Sequence, residues 1–152
     1  MIKVAFICHG NICRSPLAEF LMKDKIEKLG LSDKFYIESF GTSYEEHGNP
    51  VYPPIKSILK GLNVDCSKKR AQTVTKADYD EFDYFLCMEE YNKRNLLRIF
   101  GSDSENKVYK LLDFSKTNKG GDVCDPYYYG GYNEVYSDIE KGVKGFIDYL
   151  NI

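Results

Sequence analysis

The length of this chain, 152 residues, suits one domain spanning residues 1–152. Hydrophobic residues make up 43% of it, enough for a sizeable core, and the formal net charge of −2 argues against a nucleic-acid-binding protein, which would normally carry a basic excess. No apolar run approaches the roughly 18 residues of a membrane span, and the first predicted strand begins at residue 2, which leaves no room for a signal peptide. We therefore expect a cytoplasmic monomer that binds neither nucleic acid nor membranes.

Predicted strands and helices alternate along the chain. The mostly apolar run at 2–7 predicts a buried parallel strand. Ser15 as N-cap and Pro16 at the first helical position then start a helix that closes near Gly30. The later elements are a strand at 35–39, a helix at 54–62, a short strand near 69–74, an apolar run at 82–88, a helix at 89–100, a short strand or extended segment at 108–112, and a helix at 133–150. This alternation predicts a three-layer α/β domain with helices on both faces of a parallel sheet.

The first junction between a strand and a helix is the place where a site is expected in such a sheet. Its sequence is Cys8-His9-Gly10-Asn11-Ile12-Cys13-Arg14-Ser15. A loop of this kind can curl so that successive backbone N–H groups point inward at an anion, and the helix N-terminus adds partial positive charge. Gly10 and Asn11 tolerate the positive φ angles that the curl requires. We expect residues 9–15 to bind phosphate.

The Cys-x5-Arg spacing of this loop predicts a nucleophile and a phosphate clamp. A field that binds a phosphate dianion also stabilises a thiolate, so we expect Cys8 to attack phosphorus. Arg14 can hold two phosphate oxygens with its planar guanidinium, and Ser15 can donate its hydroxyl proton to the sulfur. The alternative interpretation, a buried structural cysteine at a strand end, leaves the Gly-Asn pair and Arg14 unexplained.

A general acid is expected in the segment that begins Asp125-Pro126 and continues with three tyrosines and two glycines. Phosphoryl transfer from a tyrosine releases a phenolate, which needs a proton. A carboxylic acid near the phosphate can supply this proton and later activate water. Asp125 is the best candidate and Asp122 the second choice, while Tyr127 and Tyr128 can form an aromatic wall against a substrate ring. Taken alone, the segment fits an ordinary Asp-Pro turn with surface tyrosines. The Cys8 loop makes the catalytic interpretation the favoured one.

At this point the sequence resembles the low-molecular-weight protein tyrosine phosphatases, over essentially its whole length. The resemblance rests on residues 8–16, Phe85-Leu86-Cys87-Met88, Asp125-Pro126-Tyr127-Tyr128, Gly48-Asn49-Pro50 and Ser39. It implies a four-stranded parallel sheet and a two-step mechanism through a cysteinyl-phosphate, with neither metal nor cofactor. Phosphotyrosine proteins or peptides would be the substrates, and inorganic phosphate a product.

The same resemblance implies roles for individual residues. Cys8 would be the nucleophile, Arg14 the phosphate clamp and Asp125 the general acid. The loop would be held in shape by hydrogen bonds from Asn11, Ser15 and Ser39. The substrate ring would lie beside Tyr127 and Tyr128.

Two positions depart from the family pattern. The family usually has a histidine in the short third strand, where it supports the loop asparagine, and Lys69 occupies that position here. The family also often has an aromatic residue on the loop after the second strand, and Glu45 aligns with it. Either Tyr44 takes over as the substrate wall on that side or the wall is acidic.

Cys13 lies five residues from Cys8 on a tight loop, where it could capture an oxidised Cys8 as a disulfide. The alternative is a loop residue that contributes only its backbone N–H. Cys66, Cys87 and Cys124 are expected to be packing residues, with Cys124 a candidate exception because it adjoins Asp125. His9 is expected to lie at the rim of the pocket. The sequence shows no cluster of ligands for a metal.

Three other functions compete with this prediction. An arsenate reductase on the same fold would need two closely spaced cysteines near residues 80–95, and only Cys87 is there. A phosphoarginine phosphatase would place a small polar residue at Ile12, whose apolar side chain suits a phenyl ring. A phosphate-binding or redox-sensing module without enzymatic activity would not need Asp125.

Overall fold

Strands and helices alternate in the computed structural model, which describes residues 1–126 and 131–152. The strands are β1 (Ile2–Cys8), β2 (Phe35–Gly41), β3 (Tyr84–Cys87) and β4 (Val108–Lys110). The helices are α1 (Arg14–Lys28), α2 (Pro53–Gly61), α3 (Asp78–Glu81), α4 (Glu90–Phe100) and α5 (Tyr132–Leu150), with short 3₁₀ turns at Ser32–Lys34 and Leu111–Phe114. In the ranges that the structure describes, no helix is both long enough and apolar enough to cross a bilayer.

The strands form one parallel sheet in the order β2-β1-β3-β4, which confirms the predicted α/β fold. Side chains of β1 alternate between the two faces, as the period of a strand requires. Val4 and Phe6 pack in a core cluster with Ile139 of α5 and residues of α1 and α2, whereas Ala5 and Ile7 pack in another with residues of α4. Helices therefore cover both faces, and β1 is buried from both sides.

The short strand expected near 69–74 is not part of the sheet. The segment makes only isolated bridges, one between Thr73 and Gly41 and one between Arg70 and Pro50. Its backbone hydrogen bonds are divided between the end of β2 and the loop that follows, since Gly41 N donates to Gln72 O and Ala71 N donates to Asn49 O. Within the sheet, the segment therefore bridges only the last residue of β2 and does not form a further strand.

Helix α1 also begins differently from the sequence prediction. It starts at Arg14, with Cys13 at the N-cap position and no side-chain cap. Ser15, the predicted N-cap, lies inside the first turn and is fully buried. Its hydroxyl contacts the Cys8 sulfur instead of capping the helix.

The carboxyl ends of the central strands converge on residues 8–15. Cys8 is the last residue of β1, and it pairs with Gly41 at the end of β2. A Cβ atom at Gly41 would lie 2.7 Å from the carbonyl oxygen of His9 and 3.2 Å from the backbone nitrogen of Asn11. Only a glycine therefore lets the end of β2 approach the loop so closely.

Candidate active site

Cys8 lies at the bottom of the loop and is 3% exposed. Its Sγ lies 2.9 Å from Oγ of Ser15 and accepts a hydrogen bond from the backbone N–H of Asn11 at 3.3 Å. Asn11 has a φ angle of 60°, in the left-handed region that asparagine tolerates better than most residues. The expected positive φ at Asn11 thus turns its N–H toward the sulfur.

The side chain of Asn11 connects the loop to its surroundings. Its Nδ2 donates to Oγ of Ser15 at 2.8 Å and to Oγ of Ser39 at 2.9 Å, and its Oδ1 accepts the N–H of Gln72 at 2.9 Å. Ser39 in turn donates its hydroxyl proton to Oε1 of Glu19 at 2.5 Å. The buried Asn11 side chain thus makes three hydrogen bonds, and all three connect the loop to neighbouring groups.

The contacts of the Ser15 hydroxyl indicate the direction of these hydrogen bonds. An amide nitrogen can only donate, so the Ser15 oxygen accepts from Asn11, and the Cys8 sulfur is the one acceptor that the Ser15 hydroxyl contacts among the described residues. The Ser15 proton is therefore assigned to the sulfur, which also accepts the backbone N–H of Asn11.

Two buried charged residues, Glu19 and Lys69, support this network, and the more exposed Lys23 joins them. Lys69 Nζ donates to the carbonyl of Ser39 at 2.9 Å and lies 3.2 Å from Oε1 of Glu19. Lys23 Nζ donates to the other Glu19 oxygen at 2.6 Å. Glu19 is 2% and Lys69 9% exposed, so Lys69 supports the loop through Ser39.

Arg14 is 2% exposed, and its guanidinium is held by groups from other elements. Nη1 donates to the carbonyl of Val123 at 2.8 Å, and Nη2 donates to Oε1 of Glu89 at 3.3 Å and lies 3.7 Å from Oδ2 of Asp125. Burial lowers the pKa of Arg14, but the negative charges of Cys8, Glu89 and Asp125 outweigh it and raise the pKa. Arg14 is a permanent cation with a fixed orientation beside Cys8.

Asp125 and Arg14 line the same cavity as Cys8, whose volume is about 470 Å³. The other described residues that line it are His9, Gly10, Ile12, Cys13, Glu45, Glu46, Tyr52, Pro126 and Tyr132. Asp122, the second choice for the acid, instead accepts hydrogen bonds from Lys110 Nζ and from the N–H of Glu90, both at 3.1 Å. Tyr127 and Tyr128 lie outside the described residues.

The structure places Tyr44 away from this cavity. It is 71% exposed and stacks on the ring of His47, with ring centroids 4.3 Å apart. Glu45 and Glu46 line the cavity on that side instead. Of the two arrangements considered from the sequence, the geometry favours the acidic wall.

Cys13 lines the cavity, but burial and the neighbouring Cys8 raise the pKa of its thiol to about 12. Cys13 is therefore protonated at neutral pH. Burial likewise raises the pKa of Cys87, which is fully enclosed and poorly placed to relay electrons as an arsenate reductase would require. Within residues 1–126 and 131–152, no group of three or more His, Cys, Asp or Glu side chains is arranged to hold a metal ion.

Sequence reasoning did not identify three polar residues that hold the site, namely Glu19, Gln72 and Glu89. Glu19 lies four residues after Ser15, on the same face of α1, and a carboxylate within an otherwise apolar stripe could have indicated it. Glu89 follows β3 directly and occupies the N-cap of α4, a position at the same end of the sheet as Cys8. Gln72 acts through its backbone N–H, which no sequence pattern marks.

Known proteins resemble this chain along nearly its whole length. The family model for the low molecular weight phosphotyrosine protein phosphatase matches residues 3–151. The low molecular weight protein-tyrosine-phosphatase YfkJ of Bacillus subtilis is 36% identical over 144 residues, which cover 95% of this chain and 92% of that protein. PtpA of Staphylococcus epidermidis, which bears the same family name, is 33% identical over 150 residues, or 99% of this chain and 94% of that protein.

Solved structures show the same relationship. The crystal structure of YfkJ from Bacillus subtilis has a TM-score of 0.95 at 34% identity and covers 99% of this chain and 95% of that one. A Drosophila arginine phosphatase has a TM-score of 0.89 at 25% identity and covers 99% of both chains. The chain therefore belongs to the low molecular weight protein-tyrosine-phosphatase family, and it is a phosphatase.

Proposed function

We propose that this enzyme hydrolyses phosphotyrosine in proteins and peptides through a covalent phosphate on Cys8, with Arg14 as the clamp and Asp125 as the general acid. The observation that carries the proposal is the direction of the hydrogen bonds at the sulfur. Ser15 accepts a hydrogen bond from Asn11, and Cys8 is the one acceptor that its hydroxyl contacts among the described residues, so the Ser15 proton is directed to the sulfur and would stabilise a thiolate. That sulfur lies in the same cavity as a fixed guanidinium and a carboxyl group.

The first step transfers the phosphoryl group to sulfur. The phosphate of the substrate binds the inward-facing N–H groups of residues 9–15 and the guanidinium of Arg14. The Cys8 thiolate attacks phosphorus, the P–O bond to tyrosine breaks, and the carboxyl proton of Asp125 passes to the leaving oxygen. Tyrosine leaves with its hydroxyl restored, and Asp125 remains as a carboxylate.

The second step reverses the role of the acid. The Asp125 carboxylate takes a proton from a water molecule as the water oxygen attacks phosphorus. The P–S bond breaks, the electron pair returns to Cys8, and inorganic phosphate leaves. The Ser15 hydroxyl and the Asn11 N–H, which both point at the sulfur, stabilise the thiolate as it re-forms. Asp125 ends protonated, as the next cycle requires.

Phosphoarginine is the second candidate substrate, because an arginine phosphatase is among the structural relatives. Ile12 counts against it, since this residue lines the cavity with an apolar side chain that has no group to assist attack on a P–N bond. Ile12 offers instead a surface for the phenyl ring of phosphotyrosine.

One assay separates these substrates: hydrolysis of p-nitrophenyl phosphate, of a phosphotyrosine peptide and of a phosphoarginine peptide, each with Cys8→Ser as the control. We expect the wild type to hydrolyse the first two and Cys8→Ser to be inactive while still binding phosphate. Faster cleavage of phosphoarginine than of phosphotyrosine would refute the proposed substrate. Phosphate trapped on any residue other than Cys8 would refute the proposed nucleophile.

The cellular setting is part of the same proposal. A thiolate nucleophile works only while it is reduced, so we place the enzyme in a reducing compartment, the cytoplasm, as a monomer of one domain that requires no cofactor. Cys13, beside Cys8 in the cavity, is proposed to trap an oxidised Cys8 as a disulfide that a thiol reductant can reopen.

A further inference from the structure

The active-site cavity has two sides that differ in chemistry. Glu45 and Glu46, from the segment after β2, form one side, and Tyr52 and Tyr132 contribute aromatic surface to another. The reaction described above uses none of these four side chains. A peptide substrate extends beyond its phosphotyrosine, so partly exposed residues around the cavity are placed to contact the flanking residues of the peptide.

Glu45 and Glu46 are held in defined positions. Glu45 is 74% exposed, and its Oε2 lies 3.6 Å from Nε2 of His9, the residue next to the nucleophile. Glu46 lies closer to the loop, since a Cβ atom at Gly10 would be 3.2 Å from its Cγ, and its Oε2 accepts a hydrogen bond from Asn49 Nδ2 at 2.6 Å. Two carboxylates thus face the same cavity from adjacent positions.

No fixed cation neutralises these two carboxylates. Among the described residues that line the cavity, Arg14 carries the only permanent positive charge, and it already contacts Glu89 and Asp125. Glu45 and Glu46 form no ion pair with a lysine or arginine within residues 1–126 and 131–152. Their negative charge is therefore available to a substrate.

The tyrosines add a second feature that favours a cation. Tyr52 precedes α2 and Tyr132 begins α5, and their rings stack with centroids 6.4 Å apart. The faces of aromatic rings attract guanidinium and ammonium groups, and they also pack against the methylene groups of arginine and lysine. Carboxylates and aromatic faces share one preferred partner, a long basic side chain.

We propose that Glu45 and Glu46 select phosphotyrosine sites that are flanked by arginine or lysine, with Tyr52 and Tyr132 contacting the same basic side chain. This inference rests on the proposed function and adds the sequence context of the substrate. Aspartate or glutamate beside phosphotyrosine is disfavoured, because its charge meets the two carboxylates. Selection acts on the flanking residue and leaves the chemistry at Cys8 unchanged.

The test compares kcat/KM for three peptides that differ only beside the phosphotyrosine, where they carry arginine, alanine or aspartate. We expect the wild type to prefer the arginine peptide over the aspartate peptide roughly three- to tenfold at low salt, the range that one or two exposed ion pairs supply. The ratio should shrink as salt is added. Glu45→Gln combined with Glu46→Gln should bring the ratio close to one.

The matched control is Glu27→Gln combined with Asp33→Asn, which changes the net charge equally at two exposed positions that do not line the cavity. The control should keep the wild-type ratio. Equal rates on all three peptides, or a ratio that survives in the Glu45/Glu46 variant, would overturn this inference and leave the proposed function standing. Equal loss in the control would also overturn it, because net charge alone would then explain the preference. Failure to cleave any peptide, including the alanine one, would refute the proposed function itself.

Discussion

Lys69 lies beneath the phosphate loop, and replacing it with methionine is expected to weaken both the fold and the loop. Its Nζ donates to the Ser39 carbonyl at 2.9 Å and lies 3.2 Å from Glu19. Methionine keeps much of the buried stem but removes the charge. Glu19, which is 2% exposed, then keeps only Lys23 of the two lysines that contact it in this structure.

The size of the effect follows from the burial of Glu19. Removing one partner of a buried ion pair costs about 3–5 kcal/mol when the remaining charge is left alone. Lys23 stays at 2.6 Å and offsets part of this cost, so we expect the free energy of unfolding to fall by about 2–3 kcal/mol. For a domain of this size that corresponds to a Tm lowered by roughly 4–12 °C.

Urea unfolding measures the loss, with Lys23→Met as the matched control. Lys23 is partly exposed, so its removal should cost less than Lys69→Met, about 1 kcal/mol or less. Adding Glu19→Gln to Lys69→Met should recover part of the stability, because no uncompensated carboxylate remains. Alkylation of Cys8 by iodoacetate should also slow in Lys69→Met, since Ser39 is less well fixed. Equal urea midpoints for the two lysine variants would refute the reasoning.

Three further predictions concern Asp125, Arg14 and Cys13. Asp125→Asn should lose about 10²–10⁴-fold in kcat on phosphotyrosine. The loss on p-nitrophenyl phosphate should be smaller, because nitrophenolate is a weaker base and leaves more easily without a proton. Equal losses on both substrates would show that Asp125 has only a structural role. Arg14→Lys should lose roughly 10²–10³-fold in kcat/KM, because an ammonium group cannot form two parallel hydrogen bonds to phosphate, and near wild-type kinetics would exclude a bidentate clamp. Cys13→Ser should make peroxide inactivation harder to reverse with dithiothreitol, since the Cys8 sulfenic acid can then oxidise further; equal recovery in both proteins would leave Cys13 a structural role.

The parts of the fold that the sequence predicts well are those with strong local signals. The run at 2–7 is mostly apolar, a pattern typical of a strand buried on both faces, and the structure has such a strand there. The Gly-Asn pair predicts positive φ angles at Gly10 and Asn11, and the structure has one at Asn11 but none at Gly10. At Gly10 the missing side chain instead leaves room for Cγ of Glu46, which lies 3.2 Å from where a Cβ atom would be. The prediction of a strand at 69–74 was wrong because the backbone hydrogen bonds of this segment are divided between the last residue of β2 and the loop after it, which local patterns do not reveal.

The supporting residues of the site could not be predicted because their contacts are distant in sequence. Glu89 contacts Arg14 across 75 positions of the chain, and Gln72 contacts Asn11 across 61. The role of Ser15 was ambiguous for a different reason. Its hydroxyl could serve either the helix N-terminus or the sulfur, and the structure shows no side-chain cap on the helix but a 2.9 Å contact with the sulfur.

Gly41 packs against the loop of residues 8–15 so closely that a single methyl group at position 41 would not fit. A Cβ atom at Gly41 would meet backbone atoms of His9, Gly10 and Asn11, not the flexible end of a side chain. Any larger residue must therefore displace peptide groups of the loop that is proposed to bind phosphate. The shape of this proposed anion site is set partly by the neighbouring strand, and we expect a substitution at position 41 to damage phosphate binding before it disturbs the hydrophobic core.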